Sequence, residues 1–275
     1  MQNFELISCA NADELASRAA GAWLDEIELA NRAGKPHCVA LSGGRIAQKF
    51  FAATVAQAKS RKISFTRVHF FWADERCVPP TDPESNFKLA SELLFAPLKI
   101  SETQIHRIRG ELLPEAAAKV ANEEIRRVLP ISSPPPQRGE GRGEEAVFSK
   151  SKPLTPPLSP LGRGEGVYSL PSLDLIFHGL GEDGHVASLF PNVPSQILNC
   201  AVPFLAVEDS PKPPPRRVTM SYAAIAAANQ VWVLVSGAGK AAALRDSLKP
   251  DAAMQLARVV RLRSRTTIFS DVRAG

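Results

Sequence analysis

Several absences narrow this 275-residue sequence before any motif does. Its four cysteines, Cys9, Cys38, Cys77 and Cys200, lack the spacing of a metal site or a disulfide framework. Cys9 and Cys38 fall in apolar runs and read as buried thiols. Cys77 follows an Asp-Glu-Arg cluster near a possible site, but no base stands near it in sequence to make it a nucleophile. No apolar run is long enough to span a bilayer. Met1-Gln2-Asn3-Phe4-Glu5 has neither the basic start nor the apolar body of a signal peptide, so no membrane association and a cytoplasmic location are expected. Aromatic residues make up 7% of the chain, and no dense Lys/Arg stripe occurs outside Arg258–Arg265. Nucleic acid is therefore a poor fit to the net charge of +5. A small anionic substrate accounts for the basic bias equally well and agrees better with the polar segments described below.

The length allows one or two domains and a substantial core, and 44% hydrophobic with 22% charged residues is ordinary for a globular protein. Phe4 to Ser8 reads as a strand, and Asn11 caps an amphipathic helix to about Ala33 with Asp13 and Glu14 in its first turn. His37–Leu41 and Val68–Ala73 read as buried strands, with a helix from about Arg45 to Ala58 between them. Helices are expected over Ser85–Leu94 and from Pro114 to Leu129. Strands follow at Leu173–His178, Ala201–Val207, Arg217–Ser221 and Gln230–Ser236, then a helix over Gly239–Leu248. Arg258–Arg265 alternates as a strand with one charged face would. Strands alternating with helices predict an α/β fold with a doubly wound, mostly parallel sheet covered on both faces. One domain is expected over 1–275, interrupted at about 132–169. There Pro-Pro and Arg-Gly-Glu-Gly elements recur twice, as in a disordered Pro/Gly-rich linker tolerated at the surface.

In such sheets ligands bind beyond the carboxyl ends of the strands. Four polar segments sit at such ends: Ser42-Gly43-Gly44, Asp74-Glu75-Arg76, Gly179 to Pro191, and Gly237-Ala238-Gly239-Lys240. The third presents His185 where a rigid strand stops, and histidine can exchange a proton near neutral pH. Gly179-Leu180-Gly181-Glu182-Asp183-Gly184 also matches a dinucleotide fingerprint, with Glu208 downstream. Pro191 arrives too soon for the long helix that would hold a pyrophosphate. Free N–H groups at Ser42-Gly43-Gly44 suit a phosphate, and Lys240 and Arg217 could add charge or could be solvated. His178, inside the strand, reads as a structural histidine, and His37, His69 and His106 offer no second constellation.

Taken together these segments resemble the 6-phosphogluconolactonase family, of the glucosamine-6-phosphate deaminase and isomerase-like superfamily. The resemblance rests on Leu41-Ser42-Gly43-Gly44, on Phe71 to Pro79 with Asp82, Ser85 and Asn86, and on Asp174 to Pro191. It continues through Arg217-Val218-Thr219-Met220 and Val235-Ser236-Gly237 with Lys240. It implies a Rossmann-like, NagB/RpiA-type fold and hydrolysis of 6-phosphoglucono-1,5-lactone in the oxidative pentose phosphate pathway, without metal or organic cofactor. His185 would be the general base. Arg76 would bind substrate or stabilise oxyanion charge, and Asp74 would orient a hydroxyl, the water or the imidazole. Ser42, Gly43, Gly44, Arg45, Asp183, Gly184, Arg217 and Lys240 would form the substrate and phosphate site, with Asp183 also shaping the loop around His185. Asn86 would stabilise the site loop. The family's Ser-Thr-Pro after the two glycines is here Arg45-Ile46-Ala47. Arg45 therefore either replaces the lost hydroxyls with a charged contact or points outward. A monomer or small homo-oligomer is expected. Two alternatives stand beside the hydrolase. One is a glucosamine-6-phosphate deaminase/isomerase, whose histidine loop carries a glutamate shortly after the histidine, where this chain has Ala187-Ser188-Leu189-Phe190-Pro191 with no carboxylate. The other is a sugar-phosphate-binding protein with weakened catalysis.

Overall fold

A computed structural model describes residues 3–129, 170–191 and 200–272. The segment expected as an insert, about 132–169, lies outside the described residues. Six strands form the main sheet: β1 (Phe4–Ser8), β2 (His37–Leu41), β3 (Val68–Trp72), β5 (Leu175–Gly179), β8 (Gln230–Val235) and β9 (Thr266–Ser270). Their order is β1-β9-β8-β5-β2-β3, and every neighbouring pair is parallel. β2 is buried at every position, β5 at four of five and β8 at five of six. Apolar strands without alternation require cover on both faces, which the helices supply. α1 (Ala12–Arg32) starts where Asn11 accepts from the Asp13 and Glu14 N–H groups, and it packs against α2 (Arg45–Arg61). Trp23 on α1 is fully buried against Phe50 of α2 and Phe177 of β5. Its indole N–H donates to His37 Nε2 at 3.2 Å, so the polar edge of the ring keeps a partner.

Three expectations are corrected. Asp74–Arg76, expected as a polar segment at a strand end, is itself a short strand, β4, and it belongs to a second sheet with β6 (Phe204–Val207) and β7 (Arg217–Met220). That sheet is antiparallel, in the order β4-β7-β6. The reason lies between β6 and β7: Pro211, Pro213, Pro214 and Pro215 forbid a crossover helix, and without one successive strands pair antiparallel. The third correction is at Arg258–Arg265. Gln255–Arg261 is a helix, because Leu256, Val259 and Val260 fall on one helical face and are buried. Arg263 is then buried as well, donating to the carbonyls of Ile225 and Ala226 in the last turn of the short helix Tyr222–Ala227 and of Ala228 and Asn229 just beyond it.

β5 to β8 and β9 run one way across the main sheet, while β2 to β3 run the other. The reversal falls between β2 and β5, and the loops leaving β2, β5 and β8 open over it. Among the described residues no helix is long and apolar enough to cross a membrane.

Candidate active site

The loop after β5 is built around its histidine. Gly181 N–H donates to the His185 carbonyl at 2.8 Å, and Gly184 N–H to the Gly181 carbonyl at 3.0 Å, closing a tight turn. A Cβ on Gly181 would lie 1.9 Å from His185 Nδ1, so glycine there is a condition of the ring's position. Gly184 has φ +80, which glycine tolerates, and packs against Met254. From Gly184 to Pro191 the chain forms no helix, as the early proline led one to expect.

His185 Nδ1 lies 2.5 Å from Asp183 Oδ1, and Lys212 Nζ lies 3.2 Å from the same oxygen and 3.3 Å from Nδ1. A carboxylate can only accept, so Nδ1 carries the proton and Nε2 keeps its lone pair. Burial pulls the imidazole below its ordinary value, Asp183 pulls it back up and Lys212 pushes it down; the net shift is downward. His185 is thus a neutral base at neutral pH. Burial raises the Asp183 carboxyl, but its bonds to His185 and Lys212 outweigh this and hold it at about 2.

Opposite stands β4. Asp74 is buried and accepts from Ser188 Oγ at 2.7 Å, and Ser188 itself is fully buried. Arg76 pairs in register with Arg217 of β7, which sets two guanidinium stems side by side. Like charges across strands repel, an arrangement that an anion between them would relieve. Arg76 donates to the Glu84 carbonyl at 2.7 Å, and its Nε is buried without a partner among the described residues. Arg217 is 3% exposed and donates to the carbonyls of Lys212, Pro213 and Pro214. It holds the proline loop that carries Lys212. Burial lowers its proton affinity.

These walls enclose a cavity of about 380 Å³. Ser42, Gly43, Gly44, Arg45, Asp74, Arg76, His185, Arg217 and Lys240 line it; Asp183 and Gly184 do not. Asp183 lies behind the lining with its carboxylate on His185 and Lys212, and Gly184 closes the turn that carries the histidine. Ser42 Oγ donates to the Phe177 carbonyl at 2.8 Å, which leaves the hydroxyl only as an acceptor. Gly44, at φ +97, opens α2 with no side-chain cap, so the first N–H groups of that helix have no intrahelical partner. Arg45 is 88% exposed at the rim, 3.8 Å from Glu182. Lys240 donates to the Leu180 carbonyl, and burial lowers its proton affinity while Glu182 raises it.

Other residues escaped the sequence reading. Lys212 lies among prolines, 27 positions from His185, with no local pattern to mark it. Ser188 lies within the Ala187–Pro191 stretch that lacks a carboxylate, and its bond to Asp74 joins segments 114 positions apart. His69 and His106 do form a cluster, against expectation: His69 Nδ1 is 3.0 Å from His106 Nε2, and His106 Nδ1 is 2.7 Å from Glu124 Oε1. It joins β3 to the helix Pro114–Val128 and does not line the cavity. His178 is buried, with burial lowering it to about 4, so it stays neutral. Cys77, its thiol pushed up to about 11 by burial, does not line the cavity. Among the described residues no group of three or more His, Cys, Asp and Glu is placed to hold a metal ion.

Because Lys212 works against protonation of His185, Lys212→Met raises the imidazole's pKa. The acid limb of any reaction that needs neutral His185 then moves to higher pH, as a pH–rate profile would show. An unmoved limb would remove Lys212 from the dyad's electrostatics.

The family model described as glucosamine-6-phosphate isomerases/6-phosphogluconolactonase matches residues 10–269. A 6-phosphogluconolactonase of Mycobacterium tuberculosis is 34% identical over 194 residues, covering 68% of this chain and 63% of that protein. Another, of Streptomyces coelicolor, is 28% identical over 250 residues, covering 89% and 82%. The chain spans between 54% and 63% of the length of the first curated relatives it matches. The crystal structure of 6-phosphogluconolactonase from Thermotoga maritima shares the fold with a TM-score of 0.71 at 24% identity, covering 98% of this chain and 99% of that one.

Proposed function

We propose that this chain, which belongs to the glucosamine-6-phosphate isomerase/6-phosphogluconolactonase family, hydrolyses the ring ester of 6-phospho-D-glucono-1,5-lactone to 6-phosphogluconate. The observation that carries the reading is a neutral imidazole, its tautomer set by Asp183, facing a cavity whose charged lining is mostly cationic. Arg45, Arg76, Lys212, Arg217 and Lys240 face Asp74 and Glu182 there. A phosphorylated, neutral-ring ester meets both features.

In the reaction His185 Nε2 takes a proton from a water molecule as the water oxygen bonds to the lactone carbonyl carbon. The carbonyl electrons move onto oxygen, and Arg76 meets that charge with a half-buried guanidinium. The carbon–ring-oxygen bond then breaks, and the imidazolium returns its proton to the departing ring oxygen, which becomes a hydroxyl. The carboxylic acid product ionises and releases one proton to solvent. Asp183 remains a carboxylate throughout and stabilises the transient imidazolium. Asp74, fixed by Ser188, orients the sugar. The phosphate lies against the α2 N-terminus and Lys240, and this distant grip holds the reacting carbon over His185.

A pH-stat on freshly generated lactone, with spontaneous hydrolysis subtracted, tests the reading through the proton released. Acid release no faster than the blank would refute it. Turnover of glucosamine 6-phosphate instead would favour the isomerase/deaminase branch, which the lack of a carboxylate from Ala187 to Pro191 argues against. Binding of 6-phosphogluconate without turnover would support a sugar-phosphate-binding protein.

Lys240→Ala is expected to raise KM on the order of 10-fold with kcat little changed, the size of a lost charge-assisted hydrogen bond. Arg45→Ala should do less, since its guanidinium is largely solvated. A fall in kcat with constant KM for Lys240→Ala would instead assign it to support of the Leu180 carbonyl.

A further inference from the structure

The second carboxylate of the Asp74-Glu75-Arg76 strand takes no part in the steps above, yet it is 2% exposed. Its partners are unusually complete. Glu75 Oε1 accepts from the backbone N–H groups of Arg76 and Asn86, each at 2.8 Å. Oε2 accepts from the Phe87 N–H at 2.7 Å and from the Ser85 hydroxyl at 3.1 Å. Three of these four donors belong to consecutive residues, Ser85 to Phe87, at the start of the helix Asn86–Ala90.

That segment reaches the cavity at three points. Asn86 Nδ2 donates to the Asp74 carbonyl at 2.9 Å. The Asn86 amide lies so close to Gly43 that a Cβ there would sit 1.9 Å from its Oδ1. The neighbouring Glu84 receives the Arg76 guanidinium at its carbonyl. One buried carboxylate therefore underlies the placement of Arg76, of the Asp74 backbone and of the glycine turn.

Given the lactone hydrolysis set out above, we propose that Glu75 is a positioning residue of the reaction. Its ionised carboxylate fastens residues 84–87 to β4 and so sets Arg76 and the Gly43 turn against the substrate. Four donors can be accepted only by a carboxylate with both oxygens free of hydrogen. A protonated carboxyl turns its own O–H toward one of those N–H groups, and the segment must shift. The wall is thus built correctly only in the ionised form.

The surroundings make that proton available near neutral pH. Burial raises the carboxyl, Asp74 on the same strand raises it further, and the three backbone N–H groups oppose both; it lies at about 7. The other charged or titratable groups that sense Glu75 are Arg107, which lies over the Phe87 ring, Arg217 on β7 and the neutral Cys77 thiol. Loss of kcat/KM on acidification then comes from two groups, His185 gaining its proton and Glu75 gaining its own. The logarithm of kcat/KM then falls, where both groups titrate, more steeply than the slope of one that a single group gives.

The test uses the full chain as wild type and as Glu75→Gln, with two readouts. The first is kcat/KM for the lactone across pH 5 to 8.5. The variant should be slower at the alkaline end by on the order of 10- to 100-fold, the cost of a misplaced site wall. Its acid limb should fall with a slope of one. The second is the amide ¹H–¹⁵N shifts of Arg76, Asn86 and Phe87 without substrate. In the wild type these should titrate together with a midpoint near 7, and in Glu75→Gln that titration should vanish. A variant with wild-type kcat/KM and slope, or wild-type amides that do not titrate together, overturns the proposal. If the variant fails to fold, the wild-type amides still decide. If the wild type hydrolyses no lactone while the amides titrate as described, the substrate is wrong and the carboxylate clamp stands.

Discussion

His185→Ala is expected to lower kcat for lactone hydrolysis by about 10²- to 10⁴-fold, the usual worth of a general base. The lactone opens slowly in water by itself, so the loss bottoms out at the spontaneous rate. The fold should survive the change. Among the described residues His185 bonds through its side chain only to Asp183 and Lys212, and its ring lies tilted against Phe190 with centroids 4.6 Å apart, at the edge of a cavity rather than inside the core. Matching circular dichroism for the two proteins would establish that. A variant that retained the enhancement would remove the imidazole from the chemistry, and with it the mechanism.

Asp183→Asn is the second large effect, with kcat expected to fall by roughly the 10⁴-fold that a wrong imidazole tautomer costs in a serine-protease triad. The change is nearly isosteric. An asparagine can turn its NH₂ toward Nδ1, which then carries the lone pair and leaves a hydrogen on Nε2, where the base is needed. The charge also disappears. Asp183 raises the imidazole in the wild type, so without it the His185 pKa falls further and the acid limb moves to lower pH. Lys212→Met moves the same limb upward. Opposite shifts from two residues that touch the same ring nitrogen are a strong signature. An Asp183→Asn enzyme with wild-type kcat would mean that Nδ1 is not the protonated nitrogen.

Much of the main sheet was legible because strand and helix patterns are local. β1, β2, β3, β5 and β8 lie where apolar runs placed them, and Asn11 caps the helix it was expected to cap. Short segments were harder. Asp74–Arg76 has three residues and no periodicity of its own, so only its pairing with β7 makes it a strand. Arg258–Arg265 alternates over part of its length, yet Leu256, Val259 and Val260 fit a helix whose apolar face meets the core. The prolines between β6 and β7 leave no room for a crossover, a local signal of antiparallel pairing that the expectation of one mostly parallel sheet did not use.

The sequence by itself determined which groups stand at the strand ends: a histidine on a glycine turn, an acidic-basic triplet and two glycine-led helix starts. Chain order places such residues wherever the sheet is parallel, whatever the packing. Only the tertiary structure decided what each does. It turned Asp183 from the cavity onto the imidazole, brought Lys212 across 27 residues to the same ring, committed Arg217 to a proline loop and wrapped Glu75 in donors from 85–87. Those roles depend on distances of about 3 Å between side chains far apart along the chain, and only the packing of one element against another sets such distances.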